Sequence, residues 1–148
     1  MQRQTGLRIF SIGHSNRTLD EMITILKRYG VETLADIRTF PRSRRNPHFD
    51  RESLERELPS SGIEYVWIRE LGGMREDGYE NYMSTSGFEE GFHTLLSVAG
   101  EKRTAFMCSE LVWRNCHRSF VSHALHSRGW EVVHIYDGNE SETHSGLF

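Results

Sequence analysis

The chain has 148 residues, a formal net charge of −3 and a hydrophobic fraction of 36%. This length fits a single domain, and the near balance of acidic and basic residues excludes a polycationic nucleic-acid coat protein. Two cysteines are too few for a disulfide scaffold, and no apolar run reaches the roughly 18–20 residues of a membrane span, so we expect a cytoplasmic protein that contacts no membrane.

Apolar periodicity predicts alternating strands and helices along the chain. Five short apolar or alternating runs are typical of strands, at residues 7–12, 31–38, 63–68, 104–107 and 130–136. Between them, apolar residues three and four positions apart predict four helices, which begin near Thr18, Asp50, Ser86 and His117. We predict a capping box for the first and third helices, because Thr18 precedes Glu21, and Ser86 precedes Glu89, by three positions. The segment from Glu70 to about Thr85 is expected to be a loop.

Regular alternation of strands and helices favours parallel strands joined by right-handed crossovers. We therefore predict one α/β domain over residues 1–148. Its core, residues 7–136, is expected to be an open, mostly parallel five-stranded sheet with helices on both faces. The polar tail, residues 137–148, is expected to fray.

Chemically active side chains follow four of the predicted strands. In open α/β sheets, ligands bind beyond the carboxyl ends of the strands, and the residues there are His14, Asp36, Arg38, Glu70, Cys108, Glu110, Cys116, His117 and Arg118. We expect these side chains to surround one cleft.

Four separated blocks of the sequence resemble the domain-of-unknown-function family number 488. The blocks are Ser11–Asn16, Asp36–Ser43, Glu70–Gly73 and the stretch from Met107–Glu110 through Cys116–Ser119. The resemblance implies a compact α/β domain with a shared polar site. It implies no particular reaction, because none is established for the family.

The first candidate for catalysis is Cys108, since a thiol near a helix N-terminus and arginines becomes a reactive thiolate. Alternatively, it is a small buried residue that only packs. Glu110 or Asp36 is the candidate carboxylate for proton transfer, and His14 a candidate acid–base group. Asp36 has a structural alternative, a salt bridge that joins two loops.

Candidate binding residues surround these groups. Arginine forks bind phosphates and aromatic rings stack on bases, so Arg38, Arg42 and Arg44 predict an anionic partner, with Arg118 at the start of a helix as a further anion binder. Arg118 has an alternative as an ion-pair partner of Asp36 or Glu110. Glu70 and Tyr82 belong to the long loop, which either covers the site or packs on the core.

Cys116 and His117 leave three alternatives open. Cys116 is placed to resolve an oxidised Cys108, or Cys108, Cys116 and His117 together supply three metal ligands. For His117 the structural alternative is a residue at a helix N-terminus that is hydrogen-bonded to a loop. The C-x5-R spacing of Cys108 and Arg114 also matches that of cysteine phosphatases.

These residues predict a cysteine-centred enzyme that acts on an anionic, nucleotide-like or nucleic-acid-like substrate. The alternatives are a non-catalytic nucleic-acid-binding module built on residues 38–51, and a metal-binding protein. The sequence requires no cofactor, although a metal is compatible with it.

Overall fold

The computed structural model describes residues 7–145, so the predicted domain ends, residues 1–6 and 146–148, lie outside that range. Six strands are present there: β1 Arg8–Gly13, β2 Thr33–Asp36, β3 Glu64–Trp67, β4 Thr104–Cys108, β5 Glu131–Ile135 and β6 Ser141–Thr143. The α-helices are α1 Leu19–Arg28, α2 Arg51–Glu57, α3 Tyr79–Tyr82, α4 Ser86–Glu101 and α5 Arg118–Ser127. None of these helices has the length and hydropathy of a membrane span.

The strands form one sheet in the order β3-β2-β4-β1-β5-β6. The first five run parallel, and β6 pairs antiparallel with β5. The α/β prediction is confirmed, but the sheet has six strands rather than five. The expectation of a frayed tail is wrong for residues 141–143, because they add β6 to the edge of the sheet. Their polar sequence shows no apolar alternation, which is why periodicity does not reveal this strand.

Two hydrophobic cores lie on opposite faces of the sheet, because side chains alternate between the faces along each strand. One core packs α4 and α5 on residues that include Ile9, Ala35 and Phe106. The other packs α1 and α2 on residues that include Phe10, Leu34 and Met107. The prediction of helices on both faces is therefore confirmed.

The ends of the helices test the capping predictions. Thr18 and Glu21 form the predicted capping box at the start of α1. The prediction for Ser86 is wrong by one residue, since Thr85 is the N-cap of α4 and its side chain accepts from the Phe88 N–H. The Thr85 hydroxyl also donates to the Tyr82 carbonyl, at the end of the short helix α3 inside the predicted loop.

The carboxyl ends of β1 and β4 are held side by side, which builds the base of the candidate site. The ladder continues past both strands, because the N–H of His14 donates to the Cys108 carbonyl and that of Ser15 to the Ser109 carbonyl. Gly13 permits this approach, since a Cβ atom there would lie 1.7 Å from the carbonyl oxygen of Glu110.

Candidate functional site

A cavity of about 450 Å³ opens at the carboxyl ends of β2 and β4. Its walls contain six of the twelve predicted site residues: Arg38, Arg42, Cys108, Glu110, Cys116 and His117. They also contain Thr39, Phe40, Gly73, Met74, Ser109 and Asn115. The predicted meeting of distant segments at one edge of the sheet is therefore found for these six side chains.

Cys108 is the buried centre of this cavity. Cys108 is only 1% exposed, and its thiol donates to the Glu110 carbonyl oxygen at 3.8 Å; the thiol of Cys116 lies close enough to change its pKa. Both cysteines are free thiols. Burial acts to raise the pKa of Cys108, but the hydrogen bond from Cys116 and the positive charge of Arg118 outweigh it and lower the pKa to about 7. The same hydrogen bond, together with burial, raises the pKa of Cys116, so Cys108 is the thiol of the pair that ionises first.

Arg118 is fully buried behind Cys108, at the first position of α5. Its guanidinium donates to the Ser11 hydroxyl at 3.1 Å and to the carbonyls of Glu110 and Leu111 at 2.7 and 3.1 Å. These partners are all neutral, and no carboxylate within residues 7–145 forms an ion pair with Arg118. A buried charge needs a counter-charge, and Cys108, whose pKa the charge of Arg118 helps to lower, supplies one when it ionises. Neither of the predicted ion pairs of Arg118, with Asp36 or with the Glu110 carboxylate, is formed.

The ring of His117 has a fixed orientation between β2 and Cys116. Its Nε2 lies 2.7 Å from the Ile37 carbonyl oxygen, which only accepts, so Nε2 carries the hydrogen. Its Nδ1 therefore has a free lone pair, which faces the Cys116 sulfur at 3.3 Å. Burial lowers the pKa of His117, which keeps the ring neutral. The absence of a side chain at Gly73 is needed here, since a Cβ atom would lie 2.9 Å from Nδ1.

Asp36 and Arg38 form a buried, bidentate ion pair. The guanidinium of Arg38 donates to both carboxylate oxygens of Asp36, at 2.8 and 2.6 Å, and to the Phe49 carbonyl. Asp36 also accepts from the Tyr65 hydroxyl and the Arg38 N–H. These contacts match the alternative in which Asp36 forms a structural salt bridge instead of transferring protons. Arg38 nevertheless lines the cavity, and its buried Nη1 has no hydrogen-bond partner among the described residues.

His14 lies on the opposite face of the sheet from Cys108. Its ring stacks on Phe49 with centroids 4.7 Å apart, and its Nδ1 donates to the Ser15 carbonyl. Burial lowers the pKa of His14 to about 4, so the ring is neutral at pH 7. Neither His14 nor Asp36 lines the cavity, and Arg38, which pairs with Asp36, joins that carboxylate to the cavity wall.

The other predicted residues differ in their access to the cavity. The Glu110 side chain is exposed at the rim, while its backbone carbonyl accepts from Arg118. Arg44 is exposed outside the cavity wall. Glu70 and Tyr82 lie away from the cavity, where the Tyr82 hydroxyl donates to the Glu70 carbonyl at 2.6 Å and Arg75 stacks on the Tyr82 ring. These contacts hold the two ends of the long loop, near Glu70 and near Tyr82, against each other.

A buried polar network beneath Arg118 was not found by sequence reasoning. Ser11 contacts both Arg118 and His134, and the ring of His134 contacts His144 at 3.1 Å. Trp113 stacks on His134 with centroids 4.2 Å apart. The available signal was a polar residue inside an apolar strand, at Ser11 in β1 and His134 in β5.

Two other interpretations of the cysteine segment lack the geometry they need. Arg114 of the C-x5-R spacing is exposed, pairs with Glu142 and stacks on Trp113, and it does not line the cavity. Among residues 7–145, no group of three or more His, Cys, Asp or Glu side chains is arranged to hold a metal ion. The arginine whose charge lowers the pKa of Cys108 is Arg118, ten positions later in the chain.

Comparison with known proteins gives a single finding. A family model described as Domain of unknown function DUF488 matches residues 18–78 and 76–125. No curated protein and no solved structure is significantly similar to the chain. The matched segments include β2, β4 and the start of α5, and so most of the cavity wall.

Proposed function

We propose a function from the chemistry of the site, because the chain belongs to the family described as Domain of unknown function DUF488, whose description names no reaction. The proposed function is that of an enzyme with Cys108 as its nucleophile or redox centre. The observation that carries it is the burial of Arg118 next to Cys108 with neutral hydrogen-bond partners only.

The charge balance explains why this observation points to catalysis. A buried guanidinium without a counter-ion is costly, and a purely structural arginine at this place would be expected to have a carboxylate partner. Ionised Cys108 restores neutrality. Thiolates, rather than thiols, attack electrophiles, so the fold maintains the reactive form of the side chain in a cavity that a small molecule enters.

The cavity wall favours a substrate that carries an anionic group. Arg42 is exposed on the wall, with no ion pair in the described part of the chain. Arg38 adds an N–H group that has no partner. Guanidinium groups bind carboxylates and phosphates through such donors, so Arg42 and Arg38 are the substrate-binding residues in this proposal.

The reactivity of Cys108 tests the proposal before any substrate is known. We expect iodoacetamide at pH 7 to alkylate Cys108 at least about tenfold faster than Cys116, because only the thiol with the lower pKa is substantially ionised. Peptide mapping by mass spectrometry distinguishes the two sites. The fast phase should vanish in Cys108→Ser and persist in Cys116→Ser, because the serine hydroxyl still donates to Cys108. Equal rates at both cysteines would refute a nucleophilic Cys108.

A second candidate function rests on the exposed arginines of the loop after β2. Arg42, Arg44 and Arg45 are exposed, and no hydrogen bond or ion pair of their side chains is present in the structure as described. Phe40 beside them is 66% exposed. Such a surface fits the backbone and bases of a single-stranded nucleic acid, which the protein would bind without chemistry.

Salt dependence tests this second candidate. Three phosphate contacts give a slope of log K against log salt of about −2, at about 0.7 per contact. We expect replacement of Arg42, Arg44 and Arg45 by glutamine to remove this slope in a fluorescence-anisotropy titration with an oligonucleotide. Arg8→Gln is the control, since Arg8 pairs with Glu131 at the opposite end of the strands. An affinity for the oligonucleotide that does not change with salt, or does not change on the triple replacement, contradicts this second candidate function.

A further inference from the structure

We propose that this site reduces hydroperoxides in a two-cysteine cycle, in which Cys108 is oxidised first and Cys116 then forms a disulfide with it. The inference rests on the function proposed above, because it needs a reactive Cys108. It adds the class of substrate, the role of Cys116 and the role of His117.

The burial of Cys108 limits what reaches it. A side chain 1% exposed at the base of a cavity of about 450 Å³ is inaccessible to a protein disulfide but accessible to a peroxide oxygen. The thiolate attacks the terminal oxygen of the hydroperoxide, so that an S–O bond forms and the O–O bond breaks. Sulfur loses two electrons, the alkoxide takes a proton from solvent, and the products are an alcohol and Cys108 sulfenic acid.

Cys116 is placed for the second step. It lines the same cavity as Cys108, and the two thiols are close enough for each to change the pKa of the other. The thiolate of Cys116 attacks the sulfur of the sulfenic acid, the S–S bond forms, and the S–O bond breaks to release hydroxide. A small dithiol that enters the cavity then reduces the disulfide by exchange and returns both cysteines to the starting state.

His117 carries the proton of this second step. Its Nε2–H is held by the Ile37 carbonyl, so the lone pair of Nδ1 faces the Cys116 sulfur at 3.3 Å. As the Cys116 sulfur attacks, Nδ1 takes the proton of its thiol and passes it to the departing hydroxide, which leaves as water. The atoms balance, because sulfenic acid and thiol give a disulfide and water.

The rim of the cavity indicates which hydroperoxides fit best. Phe40 and Met74 are the exposed apolar side chains of the wall, 66% and 82% exposed. Arg42 lies on the same wall. An organic hydroperoxide with an apolar chain and an acid group matches both features, since the chain covers the apolar surface and the acid binds the guanidinium.

The test uses the full, reduced protein and hydrogen peroxide. We expect the wild type to lose two hydrogen atoms in intact-mass measurement, with a Cys108–Cys116 disulfide in the peptide map. Cys116→Ser should stop at a sulfenic acid that dimedone traps, and Cys108→Ser should not react. With dithiothreitol present, the wild type should consume peroxide over many turnovers, and Cys108→Ser should not.

His117→Gln separates a proton carrier from a structural residue. We expect sulfenic acid to form at an unchanged rate, because the first step does not use His117, while disulfide formation slows at least about tenfold. An unchanged rate of disulfide formation, or a sulfenic acid in the wild type that dimedone traps as readily as in Cys116→Ser, overturns the inference. Fast iodoacetamide alkylation of Cys108 in the same sample shows that the proposed function survives that failure.

The choice of hydroperoxide is tested by competition. We expect linoleate hydroperoxide to be reduced at least about tenfold faster than neutral cumene hydroperoxide, and Arg42→Gln to remove this preference. Arg44→Gln is the matched control, since Arg44 belongs to the same loop but not to the cavity wall. Equal rates for the two compounds in the wild type overturn the acid-group assignment.

Discussion

Arg118→Met is expected to raise the pKa of Cys108 from about 7 to about 8 or above and so to lower its ionised fraction at pH 7 at least about fivefold. The reason is that the variant removes the positive charge beside the thiol, while burial still acts to raise the pKa and the hydrogen bond to Cys116 remains to oppose it. The measurement is the rate of iodoacetamide alkylation of Cys108 against pH, whose midpoint reports the pKa.

Two further variants separate the charge of Arg118 from its hydrogen bonds. Arg118→Lys keeps a positive charge and should give a midpoint between those of the wild type and Arg118→Met. Ser11→Ala removes one neutral partner of the guanidinium and should leave the midpoint near the wild-type value. Circular dichroism confirms that each variant is folded. A midpoint in folded Arg118→Met equal to that of the wild type would show that Arg118 does not stabilise the thiolate.

Gly13→Ala is expected to reduce the free energy of unfolding by about 3 kcal/mol or more. The added Cβ atom would lie 1.7 Å from the carbonyl oxygen of Glu110 and 2.5 Å from its carbonyl carbon. Because both atoms belong to the backbone, β1 and the segment after β4 must separate. That segment carries the two carbonyls that Arg118 binds, so fast alkylation of Cys108 should be lost as well.

Gly100→Ala is the matched control for this substitution. Gly100 is exposed near the end of α4, and nothing lies within 4 Å of an added Cβ atom. An alanine there should stabilise the helix by about 0.5–1 kcal/mol, as urea denaturation measures it. Equal stability changes in the two variants would contradict the close approach of Gly13 to Glu110.

The fold was largely predictable because its apolar pattern is local. Strands and helices alternate with clear spacing from β1 to β5, and this alternation is sufficient for a parallel sheet with helices on both faces. The strand β6 was not predictable, because its pairing depends on β5 and its residues are polar. The predicted N-cap of α4 was one position too late, since Thr85 and Ser86 both have side chains that can cap a helix.

The site was only partly predictable, because strand ends give the edge of the sheet but not the face. Cys108, Cys116 and His117 follow one strand and meet in the cavity. His14 and Asp36 come from neighbouring strands, yet side-chain alternation places them on the other face. The partners of the buried arginine were not predictable either, since Arg118 donates to the carbonyl oxygens of Glu110 and Leu111 and forms no ion pair with the Glu110 carboxylate.

The ultraviolet absorbance of thiolate, followed from acid to alkaline pH in the reduced protein, tests the central claim most directly. A stable, buried Cys108 thiolate predicts a first step with a midpoint near pH 7 that is absent from Cys108→Ser and persists in Cys116→Ser, because the serine hydroxyl still donates to the thiolate. A first step at pH 9 or above in the wild type would mean that Arg118 has no thiolate partner, and it would contradict the account.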